Sequence, residues 1–129
     1  MLNRRDIIYV YDGSFYGLLT AIFECYYNHE YPEDIKEASN IQTQILCDYF
    51  HTGTNSEKAE RVIKSIISKI SSKALYYIYC VYLSHADSKE MYILDFIIAG
   101  FKFGPSVIHR LNINCVNNVS NIAQRVAYE

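Results

Sequence analysis

Five glycines and two prolines in 129 residues leave no room for a collagen-like or low-complexity chain. With 50% apolar residues against 20% charged ones, intrinsic disorder is excluded as well. No export signal opens the chain: Arg4, Arg5 and Asp6 precede an apolar stretch, Ile7 to Tyr11, that Asp12-Gly13 cuts off far too early for an h-region. Long apolar runs are missing too. The segment from Met91 to Phe103 contains Asp95 and Lys102 and stays below the ~18 clean apolar residues of a membrane helix, so no membrane partner is expected. Nor is one sign of charge in excess, since 12 basic and 14 acidic residues give a net charge of -2, which argues against a free-standing, DNA-coating protein.

Cys25, Cys47, Cys80 and Cys115 form no C-x-x-C pair, which without an export signal reads as reduced, mostly buried thiols in a cytoplasmic protein. His29, His51, His85 and His109 fall on separate elements with no H-x-x-x-H companion, so no metal is expected. The chain has no G-x-x-x-x-G-K-[ST] loop, no G-x-G-x-x-G turn and no G-x-S-x-G elbow; neither a nucleotide cofactor nor a serine nucleophile is signalled.

What is present alternates β-rich and helical signals. Ile7 to Tyr11 predicts a strand, Asp12-Gly13 a turn and Ser14 a helix cap. Phe15, Leu18, Leu19, Ile22, Phe23 and Tyr26 then recur on one helix face, and the helix is expected to end near His29, ahead of Pro32. A second strand is admitted near 45–52. Thr54-x-x-Glu57 reads as a capping box for a helix carrying Ala59, Val62, Ile63, Ile66, Ile67 and Ile70. A third helix follows Ser71-Ser72 with Leu75, Ile78, Tyr79, Tyr82 and Ala86. A fourth opens at the box Asp87-x-x-Glu90 and stops at Gly104-Pro105. After one turn near Val107 to Leu111, a last helix uses Val116, Val119, Ala123 and Val126.

The third and fourth helices are apolar nearly all round, which predicts cover on more than one side: a second copy of the chain, or further chain beyond Glu129. Within the third helix, Tyr77 and Val81 are the candidate partner-binding residues.

Asp12 is the candidate for a catalytic carboxylate, being an acid on a strand-to-helix turn; against it stands a turn-and-cap reading, which local physics favours. Charge is uneven along the chain, with a balance of -5 over residues 1 to 54 and +3 over 55 to 129. Lys58, Arg61, Lys64, Lys69 and Lys73 crowd one stretch, and Lys102, Arg110 and Arg125 extend the basic set. From these, Arg61, Lys64, Arg110 and Arg125 are the candidate nucleic-acid contacts, weighed against an ordinary solvated helix face.

The opening block, Ile8-Tyr9-Val10-Tyr11-Asp12-Gly13-Ser14-Phe15-x-Gly17-Leu18-Leu19-Thr20-Ala21-Ile22-Phe23-Glu24-x-Tyr26, followed by Glu30-x-Pro32-x-Asp34-Ile35, resembles the start of a bacterial family described as DNA metabolism proteins. Glu57 to Val62, Gly100-Phe101-x-x-Gly104-Pro105-x-Val107 and a closing helix with Ala123 and Arg125 agree with it. The resemblance implies a setting in DNA repair or modification beside a radical-SAM repair protein, with some relatives fused to a uracil-DNA-glycosylase-like domain. It also implies that this chain is the N-terminal part of a longer protein. Gln124 stands where the family would have a histidine.

The expectation is thus one mainly α domain over 1–129, a bundle of about five helices with a short N-terminal strand and a second strand admitted near 45–52. It would serve as an accessory protein of DNA repair or modification. The alternatives are a non-catalytic docking module built on the Tyr-rich third helix, and an enzyme whose site is completed by a missing region.

Overall fold

Asn3–Tyr11 forms β1, and in its second half every residue from Ile7 to Tyr11 is buried. A strand that is apolar at successive positions has both faces covered, which is the property of a central strand in a parallel sheet. The computed structural model, which describes residues 2–40 and 48–127, gives β1 that place. Strands β2 (Glu30–Glu37) and β3 (Asp48–His51) pair with it in parallel on either side, in the order β2-β1-β3. Five helices accompany the sheet: α1 (Phe15–Tyr27), α2 (Ser56–Lys69), α3 (Ser72–Leu83), α4 (Lys89–Phe103) and α5 (Asn114–Ala127). The protein is mainly α, as expected, with one strand more than the sequence suggested. The contacts fall into two units, Met1–Val62 and Ile63–Glu129, each described below by itself.

In the first unit α1 starts as anticipated, with the Ser14 side chain accepting from the Gly17 amide at 2.9 Å. Its end has a different cause from the one expected. The helix stops at Tyr27, and His29 takes a left-handed conformation (φ 54°) that turns the chain directly into β2. Pro32 therefore lies inside a strand. It is tolerated because β2 is an edge strand and because β1 carries one extra residue between Arg5 and Ile8, opposite the position where a proline has no amide to donate. The strand admitted near 45–52 is realised over Asp48–His51; residues 41–47 lie outside the described residues. Beneath the sheet edge, Glu30 is buried to 8% exposure. It accepts from the Tyr9 hydroxyl at 2.6 Å and from Arg5 at 2.5 Å, and Asn28 Nδ2 donates to the Tyr9 oxygen at 3.1 Å.

Two caps differ from the expected ones. Asn55, not Thr54, starts α2: its side chain accepts from the Lys58 amide at 3.1 Å, because Thr54 is engaged elsewhere. At α4 the cap position falls on Ser88 and not on Asp87. Ser88 is left-handed (φ 57°) and makes no side-chain cap, and Lys89 instead donates to the Tyr82 and Ser84 carbonyls at the end of α3.

The second unit packs α3, α4 and α5 pairwise. Helix α4 is its core element, with Ile93, Leu94, Phe96, Ile97, Ala99 and Gly100 buried. The segment Lys89–His109 is long and apolar enough to cross a membrane by length and composition, contrary to the estimate from Met91 to Phe103 alone. Only 39% of its most apolar stretch is buried, so core packing accounts for part of that apolarity. Helix α3 is turned relative to the expected stripe. Ala74, Ile78, Cys80 and Val81 face inward, while Tyr76 (53%), Tyr79 (43%) and Leu83 (50%) are exposed.

Candidate nucleic-acid interface

Asp12 sits at the carboxyl end of β1, beside the carboxyl end of β3, where the order β2-β1-β3 leaves a crevice of the type in which open parallel sheets bind ligands. A cleft of about 390 Å³ is found there, lined by Thr20, Glu24, His51, Thr52, Thr54 and Lys58 among others. Its polar groups are largely spent on one another. The Asp12 Oδ1 accepts from the Ser14 hydroxyl at 2.6 Å and the Ser14 amide at 2.9 Å, and Oδ2 accepts from the Thr54 hydroxyl at 2.6 Å. These bonds, the Ser14 hydroxyl foremost and then that of Thr54, hold the carboxyl below its ordinary range. Lys58 pairs with Glu24, and the Thr20 hydroxyl donates to the Tyr16 carbonyl and accepts from the Asn55 amide. A Cβ on Gly17 would collide with the Asp12 carboxylate, so Gly17 is what lets the acid reach the helix end. Asp12 thus ties two strand-to-helix turns together, the work of a turn-and-cap acid.

The cationic residues of the second unit behave differently. Between Ile63 and Glu129 there are seven basic and four acidic side chains. Among the described residues, Lys64, Lys69, Lys73, Lys102, Arg110 and Arg125 make no ion pair. Several lie over aromatic rings instead: Lys69 over Phe101 (5.1 Å), Lys73 over Tyr77 (5.6 Å), Lys102 and Arg110 over Phe103 (5.3 and 4.4 Å).

Topology gathers four of them. Only residues 84–88 join α3 to α4, a connection that makes neighbouring helices antiparallel, so the start of α3 lies beside the end of α4. The end of α2 reaches the same place: a Cβ on Gly100 would meet the Ile70 side chain, and one on Gly104 would stand 3.9 Å from the Lys69 carbonyl. Lys69, Lys73, Lys102 and Arg110 therefore share one end of the unit. Asp87 and Glu90 lie at the other end and Asp95 in the middle of α4, leaving no described carboxylate of this unit among the four cations. The carbonyl ends of α2 and α4, each negative by its helix dipole, explain how the like charges are tolerated together.

Of the residues singled out from sequence, Arg110 belongs to this basic end. Arg61 and Lys64 are exposed on α2, one turn apart. Arg125 is at the opposite end, lining a cavity of about 320 Å³ with Leu83, His85 and Ile122. Tyr77 is half-buried under Lys73. Val81 is fully buried and cannot receive a partner, because α3 is rotated about its axis from the expected stripe. Lys69, Lys73 and Lys102 belong to the basic set seen in the sequence but not to the four contacts chosen from it. The signal was present in the interleaving Phe101-Lys102-Phe103 and in the i, i+4 pair Lys73 and Tyr77. Among the described residues no three His, Cys, Asp or Glu side chains converge as a metal site would require.

No family model matches the chain, and no curated protein or solved structure matches it.

Proposed function

We propose that this protein is a cytoplasmic accessory domain of DNA repair or modification that holds nucleic acid at the basic end of its helical unit. The observation that carries the proposal is the grouping of Lys69, Lys73, Lys102 and Arg110 with no described carboxylate of the unit among them. The setting in DNA metabolism, with a radical-SAM repair protein as neighbour, comes from the resemblance of the opening block. The test is a titration of a labelled oligonucleotide over a salt series. Four neutralised phosphates give a slope of about -2.8 to -3.6 in log K against log salt. A slope near zero, or no binding at 50 mM salt, contradicts the proposal.

A second reading is favoured by the exposed face of α3, where Tyr76, Tyr79 and Leu83 stand at helical spacing. That face would dock a partner enzyme, and Tyr79→Ser with Leu83→Ser would then abolish capture of the partner while leaving DNA affinity unchanged.

A further inference from the structure

We infer that the basic end takes a single strand in preference to a duplex, an inference that rests on the nucleic-acid reading above. The reason is the aromatic content of the site. Tyr76 is 53% exposed and stands one residue from Tyr77, over which Lys73 lies. Arg110 lies over the partly exposed Phe103 with its guanidinium carbon 4.4 Å from the ring centre. A guanidinium lying over a ring can offer its other side to a second planar group. Unpaired bases present such faces and stack on aromatic and arginine planes, whereas a duplex keeps its bases stacked on one another and offers the rings nothing.

The backbone at this end argues the same way. Duplex readers usually lay the side or N-terminal turn of a helix into the major groove. Here the carbonyl ends of α2 and α4 converge with the segment Gly104–His109, and α3 alone presents its first turn. Those carbonyl ends repel phosphate. Contact would therefore be made by the charged tips of Lys69, Lys73, Lys102 and Arg110, carried on flexible stems beside the rings. Four charges suit the short stretch, of about four nucleotides upward, that the smaller single-strand sites cover.

The experiment compares an oligo-dT with a mixed-sequence duplex of equal length by fluorescence anisotropy, using the whole chain. The single strand should bind more tightly, and its affinity should fall about 50-fold between 50 and 200 mM salt, as a slope of about -2.8 requires. Lys102→Gln with Arg110→Gln should halve that slope, so that the fall becomes about sevenfold. Tyr76→Ser, a change on an exposed face, should cost about 5- to 150-fold in single-strand affinity while leaving the slope intact, since it removes a stacking ring and no charge. Equal or tighter binding of the duplex, with Tyr76→Ser silent, overturns the single-strand inference and leaves the nucleic-acid reading standing. Failure of both probes to bind at 50 mM salt overturns both.

Discussion

Replacing Tyr9 by Phe deletes a single oxygen from a buried polar network of the first unit. Tyr9 is 0% exposed, and its hydroxyl donates to Glu30 Oε1 at 2.6 Å while accepting from Asn28 at 3.1 Å. Burial on its own would raise the Glu30 carboxyl, but the bonds from Tyr9 and Arg5 outweigh it and hold the group below its ordinary 4.5. A hydrogen bond to a charged group contributes about 1.5–3 kcal/mol, so Tyr9→Phe should destabilise by about 2 kcal/mol at pH 7. With an m-value of about 1–3 kcal/mol/M, the urea midpoint falls by roughly 1 M. The sign of the pH dependence follows from the lowered carboxyl. Its contribution is fully present above the unfolded value near 4.5 and is lost as pH falls through the lower folded value. The variant holds the carboxyl less low, so the difference between variant and wild type should shrink as pH drops below about 4.5. Urea unfolding followed by circular dichroism at pH 7 and at pH 4 reads both effects. A change under about 0.5 kcal/mol at pH 7, or a difference that is the same at both pH values, would refute the reasoning.

Asp12→Ala should lower stability by about 1 kcal/mol, the usual cost of a lost turn-and-cap acid, which thermal melting checks. Thr54→Val removes one of the bonds that hold the Asp12 carboxyl low, so the apparent titration of Asp12, followed by NMR, should move upward. Val81→Ala should cost about 2 kcal/mol of stability through lost burial and the cavity left behind, with no change in surface behaviour. Gly100→Val should cost about 1–3 kcal/mol by overpacking against Ile70, again measured by urea unfolding.

The helical half of the fold was legible because its signals are local. Ser14 caps as its side chain suggests, and of the expected stripes Ala59, Val62, Ile66, Ile70 and Val116, Val119, Ala123 are buried, while Ile63 and Val126 are half-buried and Ile67 is exposed. Strand β2 was not legible, because Glu30-Tyr31-Pro32-Glu33-Asp34 has the composition of a turn, and only the neighbouring strand and the extra residue in β1 make it a strand. The two capping boxes misled: the Thr54 hydroxyl is claimed by Asp12, 42 residues away, and at α4 the cap position falls on Ser88, whose left-handed backbone makes no side-chain cap. For the basic end, the sequence shows cationic residues but not which of them lack acidic neighbours. Lys58 looks equivalent to Lys69 until Glu24, far away in the chain, is found paired with it. In α3 the count of tyrosines was informative but their direction was not. A stripe displaced by one residue turns the helix by about 100°, enough to exchange Val81 for Tyr79 at the surface.

The central claim, that nucleic acid is held at the end of the helical unit, is tested most directly by comparing two charge reversals in one single-strand titration at 50 mM salt. Lys102→Glu with Arg110→Glu should abolish binding, while Arg61→Glu with Lys64→Glu, on the exposed side of α2, should weaken it only modestly through the change in net charge. Binding that survives the first pair and is lost with the second would contradict the account.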